Sequence, residues 1–280
     1  MRPHAGTARH VIIGGSPRSG TTLLRRTFDR HPGLCCGPES SLFLPGRVAI
    51  GPLAAGYGIP EAELRGMLSA SASQGAFIDA IAARYQALRG RPRWTEKTPL
   101  NIRHLDWIMA RWPEARIVHV LRDGRDVICS MREHPERRWV DGRWVMQPNP
   151  RPVEEYARRW VADTAAGMRW RADRRYLEVR YEDLVRQPET TLAAVLAFLG
   201  ESFDPALLAV DPAATAAGAS VPALPASPAP ASGRPDAGGA ITTTSMGRWQ
   251  RDLSAADREV VKRIAGARLS ELGYATGSDW

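Results

Sequence analysis

The chain has 280 residues, 44% of them hydrophobic, and 38 Lys+Arg against 30 Asp+Glu give it a formal net charge of +8. That length supports one elaborated domain spanning 1–280, and because no apolar stretch of about 18 residues occurs and MRPHAGTARH holds no apolar leader, a soluble cytoplasmic chain without stable membrane insertion is expected. The positive charge forms no basic run interleaved with aromatics, so a small polyanion, rather than nucleic acid, is the expected partner.

In chain order, His10–Gly15 (HVIIGG) predicts a short buried strand ending in glycine, and Thr21–Arg30 predicts a helix with Leu23, Leu24 and Phe28 on its apolar face. A short strand is expected at Leu34–Cys36. Its adjacent cysteines, with Cys129 the only other, support neither a disulfide framework nor a zinc cluster. Residues 60–88 read as helical, Arg93–Thr95 as a strand, 101–111 as helical, and Arg116–Arg122 (RIVHVLR) as a second strong strand leading through DGRD into a helix. Pro135–Pro152, rich in Trp, Arg and Pro and holding Trp139 and Trp144, reads as a loop. Helical segments at 153–172, 188–199 and 254–272 flank a strand at Tyr176–Val179, and Ser254 is a plausible N-cap. The stretch 204–240 is Ala/Pro/Gly-rich, with five prolines from Val221 to Pro235, and is expected to be a flexible connection inside the domain. Alternation of strands and helices predicts an α/β fold with a mostly parallel sheet flanked by helices.

Two turns carry the chemistry. GSPRSGTT places Gly15 and Gly20 with four residues between them after a strand and opens a helix, so the backbone N–H groups of Ser19–Thr22 and the hydroxyls of Thr21 and Thr22 can hold a phosphate. Thr21 stands where an ATP-binding loop has lysine, and Arg18 supplies the positive charge instead. VLRDGRDVICS repeats the strand, turn, helix order, with Arg122 at the strand end and Ser130 in the helix, a pair suited to a second phosphate.

With PRSGTTLLR at 17–25, HPGLCCGPES at 31–40, EKTP at 96–99, VLRDGRDVICSM at 120–131 and VRYEDLV at 179–185, the chain resembles the sulfotransferases that use 3′-phosphoadenosine 5′-phosphosulfate, especially the tyrosylprotein and bacterial branches. GRWQRDL at 247–253 is a weaker match. The resemblance implies a fold like that of P-loop nucleotide kinases and a donor with two phosphate sites. It places Arg18, Ser19, Gly20, Thr21 and Thr22 on the 5′ end of the donor, Arg122 and Ser130 on its 3′-phosphate, and Tyr181 and Arg248 with the donor-binding set. It also puts Lys97, one of only two lysines beside Lys262, near the bridging oxygen of the leaving phosphate. Glu39 falls where the tyrosylprotein branch has its catalytic glutamate, while Pro99 stands where the cytosolic small-molecule branch has histidine; His104 is a distant second choice of base.

The resemblance breaks at Ser40–Phe43, where the tyrosylprotein branch carries an arginine-bearing stretch, so the expected acceptor is a small-molecule hydroxyl, such as that of a natural product. No His/Cys/Asp cluster has metal-ligand spacing, and transfer by in-line displacement needs none. A metal-dependent P-loop kinase or NTPase and a non-catalytic nucleotide-binding module are the alternatives. The first would need lysine after Gly20 and a metal-binding aspartate at a strand end; the second would have lost Glu39 or Lys97.

Overall fold

Val11–Gly15 (β1), five consecutive buried residues, is the middle strand of a five-stranded sheet in the computed structural model, which describes residues 8–208 and 243–280 apart from 47, 149, 278 and 279. Thr21–Arg30 (α1) follows, then Leu34–Cys36 (β2). Three helices, Ile50–Tyr57 (α2), Glu61–Ala70 (α3) and Gln74–Arg89 (α4), precede Arg93–Lys97 (β3). A 3-10 turn at Pro99–His104 and a short helix, Leu105–Arg111 (α5), lead to Arg116–Leu121 (β4) and Gly124–Glu133 (α6). After Glu136–Val140 (β5) and Arg143–Gln147 (β6) come Val153–Met168 (α7), Tyr176–Arg180 (β7), Tyr181–Arg186 (α8) and Pro188–Leu199 (α9). Trp249–Asp252 (α10) and Ala255–Glu271 (α11) close the chain.

The sheet order is β2-β3-β1-β4-β7, every neighbouring pair parallel. Both faces are covered, as the unbroken apolar run of β1 requires. Val11 and Ile13 pack with Leu24 and Phe28 of α1 and with Val195 and Leu196 of α9. Ile12, between them, points the other way into a cluster with Ile102, Ile108, Phe77 and Ile81. A third cluster joins Val127 and Ile128 of α6, Trp160 of α7 and Val261, Ala265 and Leu269 of α11, so the last helix packs onto the sheet's own helices. Ser254 caps α11 in a reciprocal capping box with Asp257. Because β1 has β3 on one side and β4 on the other, the chain reverses its winding there, and the carboxyl ends of these strands form the crevice where α/β sheets bind ligands.

Three expectations need correction. The helical reading of 60–88 resolves into separate helices, with Ser71–Ser73 as the break before α4. The 153–172 segment is helical only to Met168. The 135–152 loop contains the antiparallel β5–β6 hairpin, in which Trp139 faces Trp144 with ring centroids 5.1 Å apart. Its turn is Asp141-Gly142, with φ of 48° and 76°, the two-residue turn whose positive dihedrals match the strand twist. Of the 204–240 stretch, Pro205–Leu208 forms a 3-10 turn and 209–240 lie outside the described residues.

Candidate active site

The two turns singled out in the sequence stand side by side at the carboxyl ends of β1 and β4. In the first, Ser19 N–H donates to Ser16 O at 3.2 Å to close the loop, Arg18 takes a left-handed φ of 71°, and Gly20, at φ 97°, starts α1 without any side-chain cap. An uncapped helix N-terminus leaves its first N–H groups for an anion. Ser19 Oγ is buried there with no hydrogen-bond partner among the described residues. Thr21 is buried in the first turn of α1, whereas Thr22 is exposed.

In the second turn, Arg122 is buried at the end of β4, donating from Nη1 to Arg18 O at 2.9 Å and from Nη2 to Ser245 O at 2.5 Å. Its Nε has no partner among the described residues. Arg18 Nε donates to Ser130 Oγ at 3.1 Å, tying the first loop to α6. Tyr181 lies between the turns: the Arg122 guanidinium stands 4.4 Å from its ring centroid, and a side chain on Gly20 would collide with the same ring. Gly20 therefore serves a positive φ and a close approach at once. The structure thus brings Arg18, Gly20, Arg122, Ser130 and Tyr181 into one contiguous group.

The third component is the end of β3. Lys97 is 4% exposed in its side chain, yet its Nζ reaches the Glu39 carboxylate, which is 51% exposed, and Thr22 Oγ1 at 3.4 Å. A nearly buried ammonium is thus stationed between the anion loop and a carboxylate open to solvent. Glu39 belongs to a loop fixed by Glu96, the residue before Lys97, which motif reading passed over. Glu96 is wholly buried and accepts from Ser40 N–H at 3.2 Å, Ser40 Oγ at 2.7 Å, Thr98 Oγ1 at 2.6 Å and Asn101 Nδ2. Burial raises its pKa against the opposing pull of these hydrogen bonds. Thr98 Oγ1 also accepts from Ser41 N–H at 3.1 Å, and Gln74 donates to Leu42 O at 2.8 Å.

Two sequence candidates make no hydrogen bond to these groups among the described residues. The Arg248 guanidinium is engaged by Glu133 at 2.5 Å and Asp252 at 2.6 Å, on the α6 side of the turn. His104 ends the 3-10 turn, its pKa lowered by burial and by Arg103, and among the described residues it forms no hydrogen bond or ion pair with Lys97 or Glu39. Motif reading also missed Ser245, which meets Arg122 through a backbone carbonyl that no side-chain signal marks. Among the described residues no cluster of three or more His, Cys, Asp or Glu is placed to hold a metal, and no helix is long and apolar enough to cross a membrane.

A parallel sheet with a glycine-bearing loop that lacks lysine after β1 and an arginine at the end of β4 defines an α/β protein of the phosphate-loop class. The chain belongs to the sulfotransferase family, whose model matches residues 10–205. It is similar to protein-tyrosine sulfotransferase 1 of Danio rerio, 27% identical over 205 residues covering 71% of this chain and 55% of that protein. It is also similar to the nodulation protein NoeE of Sinorhizobium fredii, 30% identical and covering 69% of this chain and 49% of that one. The chain therefore spans about half the length of these two curated relatives. Among solved structures it resembles the sulfotransferase domain of the Synechococcus PCC 7002 olefin synthase, with TM-score 0.58, 23% identity and coverage of 96% and 97%. Mouse SULT7A1, solved in complex with PAP, shares the fold at TM-score 0.52 and 13% identity, covering 96% of this chain and 88% of that one.

Proposed function

We propose that the chain transfers a sulfuryl group from 3′-phosphoadenosine 5′-phosphosulfate to the hydroxyl of a small molecule. The observation that carries this reading is the Thr22–Lys97–Glu39 line, which joins an anion loop, a nearly buried ammonium and an exposed carboxylate in one row. The donor's two ends fit the two turns. The uncapped α1 N-terminus and Ser19 Oγ suit the 5′ phosphosulfate, and Arg122, whose Nε like Ser19 Oγ has no partner among the described residues, suits the 3′-phosphate together with Ser130 and Tyr181. Arg248, occupied by two carboxylates, is left as a support of the second turn rather than a ligand.

The donor supplies the sulfuryl group. Glu39 accepts the proton of the acceptor hydroxyl as its oxygen attacks, and Lys97 and Arg18 offset the negative charge that grows on the departing phosphate oxygen. Alignment along this row contributes more than any covalent step would. A small acceptor is favoured by Ser40–Phe43: Leu42 and Phe43 are buried in the core and Ser40 is committed to Glu96, so these four residues offer no cation to an acidic peptide.

The test is transfer of labelled sulfate from the donor to a panel of phenols, sugars, lipid alcohols and peptides without added metal. Labelled product from a small hydroxyl acceptor is the expected result. A chain stabilised by Mg-ATP and not by 3′-phosphoadenosine 5′-phosphate would instead be an NTPase.

A further inference from the structure

Asp126 lies on the first turn of α6, 1% exposed, and takes no part in the proposed chemistry. Both of its oxygens are spent on one short stretch of backbone. Oδ2 accepts from Gly247 N–H at 2.7 Å and Oδ1 from Trp249 N–H at 3.0 Å. Two residues before Gly247, Ser245 O accepts from Arg122, so the returning chain is pinned to the second turn by a carboxylate at one point and by the candidate phosphate-binding guanidinium at another. Trp249 has its own anchor, because its ring stacks 4.0 Å from the guanidinium of Arg125, which also pairs with Asp123 at 2.8 Å. The ring therefore holds the fold while Asp126 sets the register of residues 245–249 against α6. A carboxylate buried to this degree pays desolvation that its two amide donors offset only in part, and its pKa is raised accordingly.

Resting on the donor reading above, we propose that Asp126 is a positioning residue for 3′-phosphate selectivity: by fixing residues 245–249 it holds Arg122 in the orientation that receives that phosphate. Isosteric Asp126→Asn turns one acceptor into an amide that faces an N–H donor, so one bond is lost and the register loosens.

Calorimetric titration of 3′-phosphoadenosine 5′-phosphate and of AMP against the intact chain and Asp126→Asn reads this directly. Affinity for the first should fall about tenfold or more in the variant, with AMP affinity within about twofold, since a hydrogen bond to a charged group is at stake only where the 3′-phosphate is present. Equal weakening of both ligands, or unchanged preference, overturns the proposal. If the unaltered chain shows no preference between the two ligands, the donor reading itself fails instead. A second measurement needs no variant: hydrogen–deuterium exchange across 243–253 of the intact chain should slow with 3′-phosphoadenosine 5′-phosphate and not with AMP. Equal protection by both ligands, or by neither, also overturns it.

Discussion

Glu39 and Glu96 sit on either side of Lys97 and have opposite surroundings. The exposed carboxylate of Glu39 is the proposed base, so Glu39→Gln should leave binding of 3′-phosphoadenosine 5′-phosphate nearly intact and lower turnover by about 10²- to 10⁴-fold. The loss should shrink along a series of increasingly acidic phenols, and a flat series with near-normal rates removes Glu39 from the role. Glu96 acts on the loop that carries the base. Glu96→Ala strands the donors of Ser40, Thr98 and Asn101 and should cost roughly 3 kcal/mol or more of stability together with most turnover. Glu96→Gln should be far milder: the Asn101 carbonyl oxygen is buried without a partner among the described residues, so rotating that amide by half a turn presents an acceptor to the new Gln amide. Denaturant melts of the two variants compare these outcomes, and equal damage from both would contradict the flip.

At the scale of elements, the hairpin shows what a local turn signal decides. A Cβ on Gly142 meets nothing within 4 Å, so Gly142→Val costs only the left-handed backbone, about 1–2 kcal/mol, all of it local to the β5–β6 pair. The near-UV circular dichroism of the Trp139–Trp144 pair should then diminish while the main unfolding transition stays; an unaltered spectrum means that the turn does not hold the pair together. The same element marks where sequence reading stopped. β1 and β4 were legible because each is an apolar run buried on both faces, and the two turns because phosphate binding needs backbone geometry that glycine and a helix start reveal. β5 and β6 are short and flanked by prolines, and charged residues interrupt both, so they carry no apolar run; the Asp-Gly pair between them was the readable sign. Glu39, Lys97 and the Arg122 turn were visible as side chains in motifs. Glu96 and Asp126 escaped because their role is to accept backbone and side-chain hydrogen bonds from residues that fold topology alone brings near.

For the molecule as a whole, the sheet encloses a titratable group with no share in the chemistry. His119 of β4 is fully buried, its Nδ1 donates to the Tyr176 hydroxyl at 2.5 Å because that hydroxyl gives its own proton to Glu178 at 3.1 Å, and its Nε2 has no partner among the described residues. Burial lowers its pKa to about 4. An unfolded histidine takes its proton near pH 6.5. Between those values the unfolded chain binds more protons than the folded one, so stability falls as pH drops from about 6.5 to about 4 and this contribution is flat below. The expected loss is on the order of 2 to 3 kcal/mol. Urea melts from pH 7.5 to 4.5 should show a shallower decline for His119→Gln than for the intact chain, and identical slopes would assign the effect to other groups.

The Tyr181 ring touches both turns at once, one edge close to Gly20 and its face 4.4 Å from the Arg122 guanidinium. A single aromatic side chain is therefore a wall common to both, and on the donor reading proposed above whatever moves that ring is felt at both ends of the ligand together.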